Sequence, residues 1–133
     1  MSVGVLVITH DQVGRAIVDA ARTMLGMCPL KVGLCAYSGV DDRDELLRTA
    51  QDLAVTLDDG DGVLILTDIF GSTPSNIAQM LLEVPNRRAI AGLNLPMLIR
   101  VLNYPRLSLT ELAQRALAGG CEGVMPCDRV DKP

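Results

Sequence analysis

The sequence predicts an α/β fold, an open, mostly parallel β-sheet flanked by helices on both faces. Three observations predict it. Short runs that are apolar at nearly every position, such as "VGVLVIT" (residues 3–9) and "VLILT" (residues 63–67), read as strands covered on both sides. Stripes spaced i, i+3, i+4, i+7 alternate with these runs and read as helices. Turn signals separate the two kinds of segment, and such βα alternation implies right-handed crossovers.

The elements follow in order. After "VGVLVIT" come Val13, Ala16, Ile17, Ala20, Ala21, Met24 and Leu25, the stripe of a first helix closed by Gly26 and Pro29. "KVGLCAY" is the second strand. "SGVDDRDE" is a polar turn in which Asp41, Asp42 or Asp44 caps the next helix, whose stripe is Leu46, Leu47, Ala50, Leu53, Ala54 and Leu57. "DDGDG" ends that helix, and "VLILT" is the third strand. Asp68 and "IFGSTPSN" lead into a helix spanning about residues 74–83, with Thr73 as N-cap and Pro74 at the first helical position. "RRAIAGL" is the fourth strand, and "LPMLIRVL" is a short helix with Pro96 at its start. "SLTE" (residues 108–111) has capping-box spacing and opens a helix through Leu112, Ala113, Ala116 and Leu117, stopped by Gly119 and Gly120. "CEGVMPC" reads as a last short edge strand. One domain over residues 1–127 and a polar tail over 128–133 are expected.

Composition bounds the function. Hydrophobic residues make up 49% of the 133 and aromatics only 2%, so the core is aliphatic. A net charge of -4 argues against nucleic acid or an anionic membrane as the main partner. No leader pattern or membrane-length apolar run stands out, which leads to a cytoplasmic expectation. Cys28, Cys35, Cys121 and Cys127 form no C-x-x-C pair, and one histidine is a poor complement for a metal, so no metal site is expected. The cysteines read as small buried hydrophobes in a reducing compartment.

In parallel sheets ligands bind at the carboxyl ends of the strands. His10, the only histidine, and Asp68 both fall there, and Asn94 lies just past a third strand end. No phosphate-loop, dinucleotide or nucleophile-elbow motif is present. What remains is His10, Asp68 and the turn "GSTPSN". Imidazole suits nucleophilic work near neutral pH, and a carboxylate can fix one ring nitrogen as donor, leaving a lone pair on the other. The helix start in this turn offers free N–H groups to an anion, and Ser72 and Thr73 add hydroxyl donors. Taken singly, each feature has a plain structural use: a satisfied histidine, a turn-capping aspartate, a good helix start. Together they supply what phosphoryl transfer needs. Two unit charges about 4 Å apart interact by roughly 4 kcal/mol at an effective dielectric of about 20. Asp68 must therefore hold the ring nitrogen away from the phosphate. The helix start belongs on the phosphate side, where its dipole contributes up to ~2 kcal/mol.

"VLVITHDQVGRAIVDAARTMLG", "GVLILTDIFGSTPSNIA" and "AIAGLNLPML" resemble the three signature blocks of the mannose-type enzyme IIA of the bacterial phosphoenolpyruvate-dependent sugar phosphotransferase system. The resemblance implies a phosphocarrier without a bound cofactor. His10 would accept a phosphoryl group from phosphorylated HPr on Nε2 and pass it to a IIB component for sugar uptake. Asp68 would orient His10. Thr73 would match the small hydroxyl residue before the proline, and Ser72–Ser75 the anion-binding helix start. Phe70 would line the partner surface, where a tryptophan is usual. The family also implies a homodimer, with "CEGVMP" as a strand exchanged between subunits. Ser72 stands where glycine is common. With no IIB domain or hinge following, a free-standing IIA protein is expected.

Two other readings fit the same blocks. One is the phosphoryl-donor subunit of a dihydroxyacetone kinase, whose first block continues with serine where Asp11 stands. The other is a regulatory module that signals through the phosphorylation state of His10.

Overall fold

The computed structural model describes residues 2–128. Strands β1 (Gly4–His10), β2 (Val32–Tyr37), β3 (Val63–Thr67) and β4 (Arg87–Ala91) form one sheet in the order β2-β1-β3-β4. Every neighbouring pair is parallel, so the sheet expected to be mostly parallel is wholly so across these strands. Helices α1 (Val13–Leu25), α2 (Arg43–Leu57), α3 (Thr73–Leu81), α4 (Leu95–Leu102) and α5 (Leu109–Glu122) cover its faces.

The period-two geometry of a strand divides each apolar run between two cores. Val5 and Val7 of β1, with Leu64 and Leu66 of β3, pack against Val18 of α1, Leu98 of α4 and Leu112 of α5. Leu6, Ile8, Val63 and Ile65 face the other way, against Leu46 and Ala50 of α2 and Ile77 and Ala78 of α3. Burying each such side chain contributes about 1.5–3 kcal/mol. The two central strands are therefore the most firmly held part of the fold, and what their ends carry is well fixed.

The stripe expected for α1 is wider than its buried face. Gly14, Val18 and Ala21 are buried, while Val13 and Met24 are exposed. The reason is Gly14: a Cβ there would lie 2.7 Å from Val7 Cγ1 and 2.9 Å from Thr9 Oγ1. The missing side chain lets α1 press onto β1 at that point and rotates its contact face toward it.

Three end assignments change. At the start of α3 the N-cap is Ser72 rather than Thr73, and Pro74 is the second helical residue. Ser75 drives this by accepting the Ser72 N–H at 3.2 Å and the Gly71 N–H at 2.8 Å. Gly119 and Gly120 do not stop α5, which continues to Glu122. They lie where α5 crosses α4, and a Cβ at Gly119 would fall 2.6 Å from Arg100 Cβ, so glycine serves close packing there. Cys121 and Glu122 accordingly end a helix, and residues 124–128 form no strand in this chain. The expected edge strand is therefore not formed within the chain itself. Of the polar tail, residues 129–133 lie outside the described residues. Elsewhere the caps agree with expectation: Asp42 accepts the Asp44 N–H at 2.9 Å, and Ser108 and Glu111 bond side chain to side chain at 2.9 Å.

Two cysteines also depart from the buried expectation. Cys35 is buried, and that burial pushes its thiol up to about 11, and Cys28 is half-buried, but Cys121 and Cys127 are exposed. The exposed pair sit at and beyond the α5 terminus, where no layer covers them.

Candidate functional site

The chain leaves β1 on one side to form β2 and returns to lay β3 on its other side. The carboxyl ends of β1 and β3 therefore flank the point where strand order reverses, the usual ligand crevice of such sheets. His10 is the last residue of β1 and Asp68 directly follows β3.

Local structure holds His10 in place. Thr9, 1% exposed, turns its hydroxyl back to accept the Gly14 N–H at 2.8 Å. It thereby satisfies one of the orphan amides of the α1 first turn, where Gln12 provides no side-chain cap. Asp11 adopts a left-handed φ of 43°, which aspartate tolerates, and donates its N–H to the Tyr37 carbonyl at 2.9 Å. The Tyr37 ring stands edge-on to the imidazole, 6.1 Å between centroids.

Asp68 grips His10 twice through one oxygen. Oδ2 accepts the His10 backbone N–H at 3.0 Å and lies 2.9 Å from Nδ1. Its other oxygen, Oδ1, accepts the Ile69 N–H at 3.1 Å. Burial alone would push this carboxyl up, but hydrogen bonds from the His10 amide and ring, electrostatic attraction to that ring and the backbone at Asp68 outweigh it. The net effect holds the carboxyl below its ordinary value of 3.8. It is thus ionised at neutral pH and can only accept. That assigns the proton to Nδ1 and leaves the lone pair of the neutral ring on Nε2. The His10 side chain is 37% exposed and that of Asp68 14%, so the pair is half-sheltered with the ring at the surface.

The segment after Asp68 folds back on itself. Ser72 Oγ donates to the Ile69 carbonyl at 2.7 Å. Ser75 is 2% exposed, and its hydroxyl, besides accepting two N–H groups, donates to the Ser72 carbonyl at 3.1 Å. Both serine hydroxyls are thus hydrogen-bonded inside the turn. A buried hydroxyl with three partners has no capacity left. Thr73 differs. It is half-buried, and among the described residues its hydroxyl proton and its amide N–H meet no acceptor. Phe70 is 73% exposed at the tip of the turn, beside Ile69, also exposed.

Asn94 is drawn into structure instead. Its Oδ1 accepts the Met97 N–H at 2.9 Å as the α4 cap, and its amide donates to the Gly120 carbonyl at 3.1 Å. One residue at this end of the sheet escaped the sequence reading. Arg43, the first residue of α2, donates from Nη2 to Thr73 Oγ1 at 3.0 Å. The only signal for it was a basic residue in the polar turn after a strand end. Among the described residues no cluster of three or more His, Cys, Asp or Glu side chains could hold a metal ion, and no helix is long and apolar enough to cross a membrane.

The arrangement offers an oriented nucleophilic nitrogen at the strand-end crevice, held by an aspartate whose chain runs on into the start of α3. Comparison with known proteins agrees in type. The family model described as the PTS system fructose IIA component, EIIA-man, matches residues 4–116. The mannose-specific EIIAB component of Escherichia coli K12 is 28% identical over 127 residues, 93% of this chain. The match spans only 39% of that protein's length. The mannose/sorbose-specific IIA subunit from Enterococcus faecalis superposes with a TM-score of 0.83 at 24% identity, over 100% of both chains. The EIIA component from Streptococcus agalactiae gives 0.81 at 19% identity, over 93% of this chain and 96% of that one. At these identities the structures speak for the fold.

Proposed function

This chain belongs to the mannose-type IIA family of the phosphotransferase system, and from that premise we propose that it is a phosphocarrier whose acceptor atom is His10 Nε2. Phosphorylated HPr is the donor and a IIB component the acceptor, in the service of sugar uptake. The observation that carries the reading is the 2.9 Å contact of Asp68 with Nδ1, which leaves Nε2 with the lone pair.

In this reading the Nε2 lone pair attacks phosphorus in line with the donor nitrogen. An N–P bond forms on His10 as the donor N–P bond breaks, and the donor nitrogen keeps that electron pair. The Nδ1 proton stays on the ring, so the phosphorylated imidazole is cationic, and the adjacent Asp68 carboxylate balances that charge. The carboxylate lies on the ring edge opposite the phosphoryl group, where its repulsion is least. Thr73 is the phosphate-side hydroxyl. Ser72 and Ser75 act through the backbone, by holding the turn that presents Thr73.

Phe70 is the exposed anchor of the partner surface, since large aromatics dominate such contacts. A homodimer is supported by the apolar side chains left uncovered: Val13 and Met24 on α1, and Val124 and Met125 beyond α5. A cytoplasmic location follows from the partners in this reading.

The test is incubation with phosphoenolpyruvate, enzyme I and HPr. One acid-labile phosphate per chain is expected, mapped to His10. Equal labelling of His10→Ala would remove His10 as the acceptor.

A further inference from the structure

Arg43 stands in an electrostatically odd place. It is the first residue of α2 and its guanidinium reaches the first residue of α3, so it lies at the positive ends of two helices. A cation is disfavoured there, since the macrodipole favours anions at a helix start. Asp41, Asp42, Asp44 and Glu45 are its neighbours in sequence, yet among the described residues it forms no ion pair. The nearby carboxylates are used locally: Asp41 accepts from the Ser38 amide and hydroxyl, and Asp42 caps α2. The one bond of Arg43 runs instead to a neutral hydroxyl 30 positions away. Departures of this kind from local consistency concentrate at functional sites.

We propose that Arg43 is a positioning residue for Thr73 in the phosphoryl-transfer step, an inference that rests on the reading of His10 given above. The chemistry is directional. A hydroxyl oxygen that accepts from a guanidinium must aim its own proton elsewhere, and the charge-assisted bond polarises that proton. Thr73 is thereby fixed as a donor rather than left to rotate. The two side chains also share the upper end of a groove of about 620 Å³ between α2 and α3, lined further by Leu47, Asn76 and Met80. Arg43 thus reaches Thr73 from the groove side, and in this reading the Thr73 proton is left for the phosphoryl group. The guanidinium adds positive potential where a dianionic group passes.

The test is single-turnover transfer from phosphorylated HPr to the full chain, in wild type, Arg43→Ala, Arg43→Lys, Thr73→Val and the double variant Arg43→Ala/Thr73→Val. Arg43→Ala is expected to lower the saturating transfer rate about tenfold with little change in the donor concentration for half-maximal rate. Arg43→Lys, which keeps a charged donor, should recover most of the rate. In the Thr73→Val background Arg43→Ala should cost less than about twofold more, because the group it positions is gone. A wild-type rate in Arg43→Ala, or losses that multiply in the double variant, overturns the inference while leaving His10 as acceptor. No acid-labile phosphate on the wild-type chain overturns both.

Discussion

Asp68 Oδ2 touches His10 twice, at the ring Nδ1 at 2.9 Å and at the backbone N–H at 3.0 Å. One oxygen thus fixes both where the residue sits and how its ring is turned. Since the carboxyl is held below its ordinary range it can only accept, so a neutral imidazole carries its proton on Nδ1 and its lone pair on Nε2.

Asp68→Asn should therefore slow phosphoryl transfer to His10 in a chain that still folds, with a somewhat lower melting temperature. Asparagine offers one acceptor oxygen to the three N–H groups that the two carboxylate oxygens now serve, so its NH2 must oppose one of them, and it carries no charge to balance the phosphorylated ring. Losses of about 10–100-fold are usual when the carboxylate behind a functional histidine is altered. Stopped labelling time courses measure the rate, and a melting curve measures the fold. An unchanged rate would take Asp68 out of the mechanism.

The same carboxyl makes stability depend on acid. Its folded value lies below 3.8, so at low pH the unfolded chain binds the proton more readily. The contribution of Asp68 is complete above the unfolded value and fades as pH falls through the folded one. The gap in thermal midpoint between wild type and Asp68→Asn should hold from pH 7 to about 5 and shrink below about 4. A gap that widens in acid would contradict the assigned direction.

Ser75→Ala removes the 2%-exposed hydroxyl that accepts from the part-buried Gly71 and Ser72 amides. Leaving buried donors unsatisfied costs about 1–3 kcal/mol. Urea unfolding should show that loss. Transfer to His10 should slow as well, because the turn that presents Thr73 loosens. Loss of transfer with full stability would instead mean that the Ser75 hydroxyl acts on the phosphate itself.

Phe70→Ala should separate docking from chemistry. The ring is 73% exposed, so its removal should leave stability within about 0.5 kcal/mol. An exposed aromatic anchor in an interface contributes more than about 1 kcal/mol to binding. The donor concentration for half-maximal transfer should rise at least fivefold, with the saturating rate little changed. Steady-state kinetics against phosphorylated HPr decides it.

The strands, most helix stripes, His10 and Asp68 were legible because each depends on local pattern. Alternation and stripe spacing are set by neighbours in the chain, and the two candidate residues stand at the ends of unmistakable aliphatic runs. The errors came where distant packing overrode local preference. Gly119 and Gly120 look like a helix stop, yet contact with Arg100 and Met97 gives them another use. Val13 and Met24 fit the α1 stripe but are exposed, since Gly14 sets the approach to β1. Ser72 and Ser75 are a local matter by contrast, since the partners of their hydroxyls lie within the same turn.

By itself, the sequence determined that this is a parallel α/β sheet with one imidazole and one carboxylate at strand carboxyl ends, and its motifs pointed to the IIA family. Only the tertiary structure decided which atoms meet. Asp68 reaches His10 across 58 positions and Arg43 reaches Thr73 across 30. Contacts that far apart in the chain arise only when the sheet order places β3 beside β1 and the helices α2 and α3 side by side on one face. Local propensity carries no record of them, because the free energy that forms them belongs to the packed core and not to any one segment.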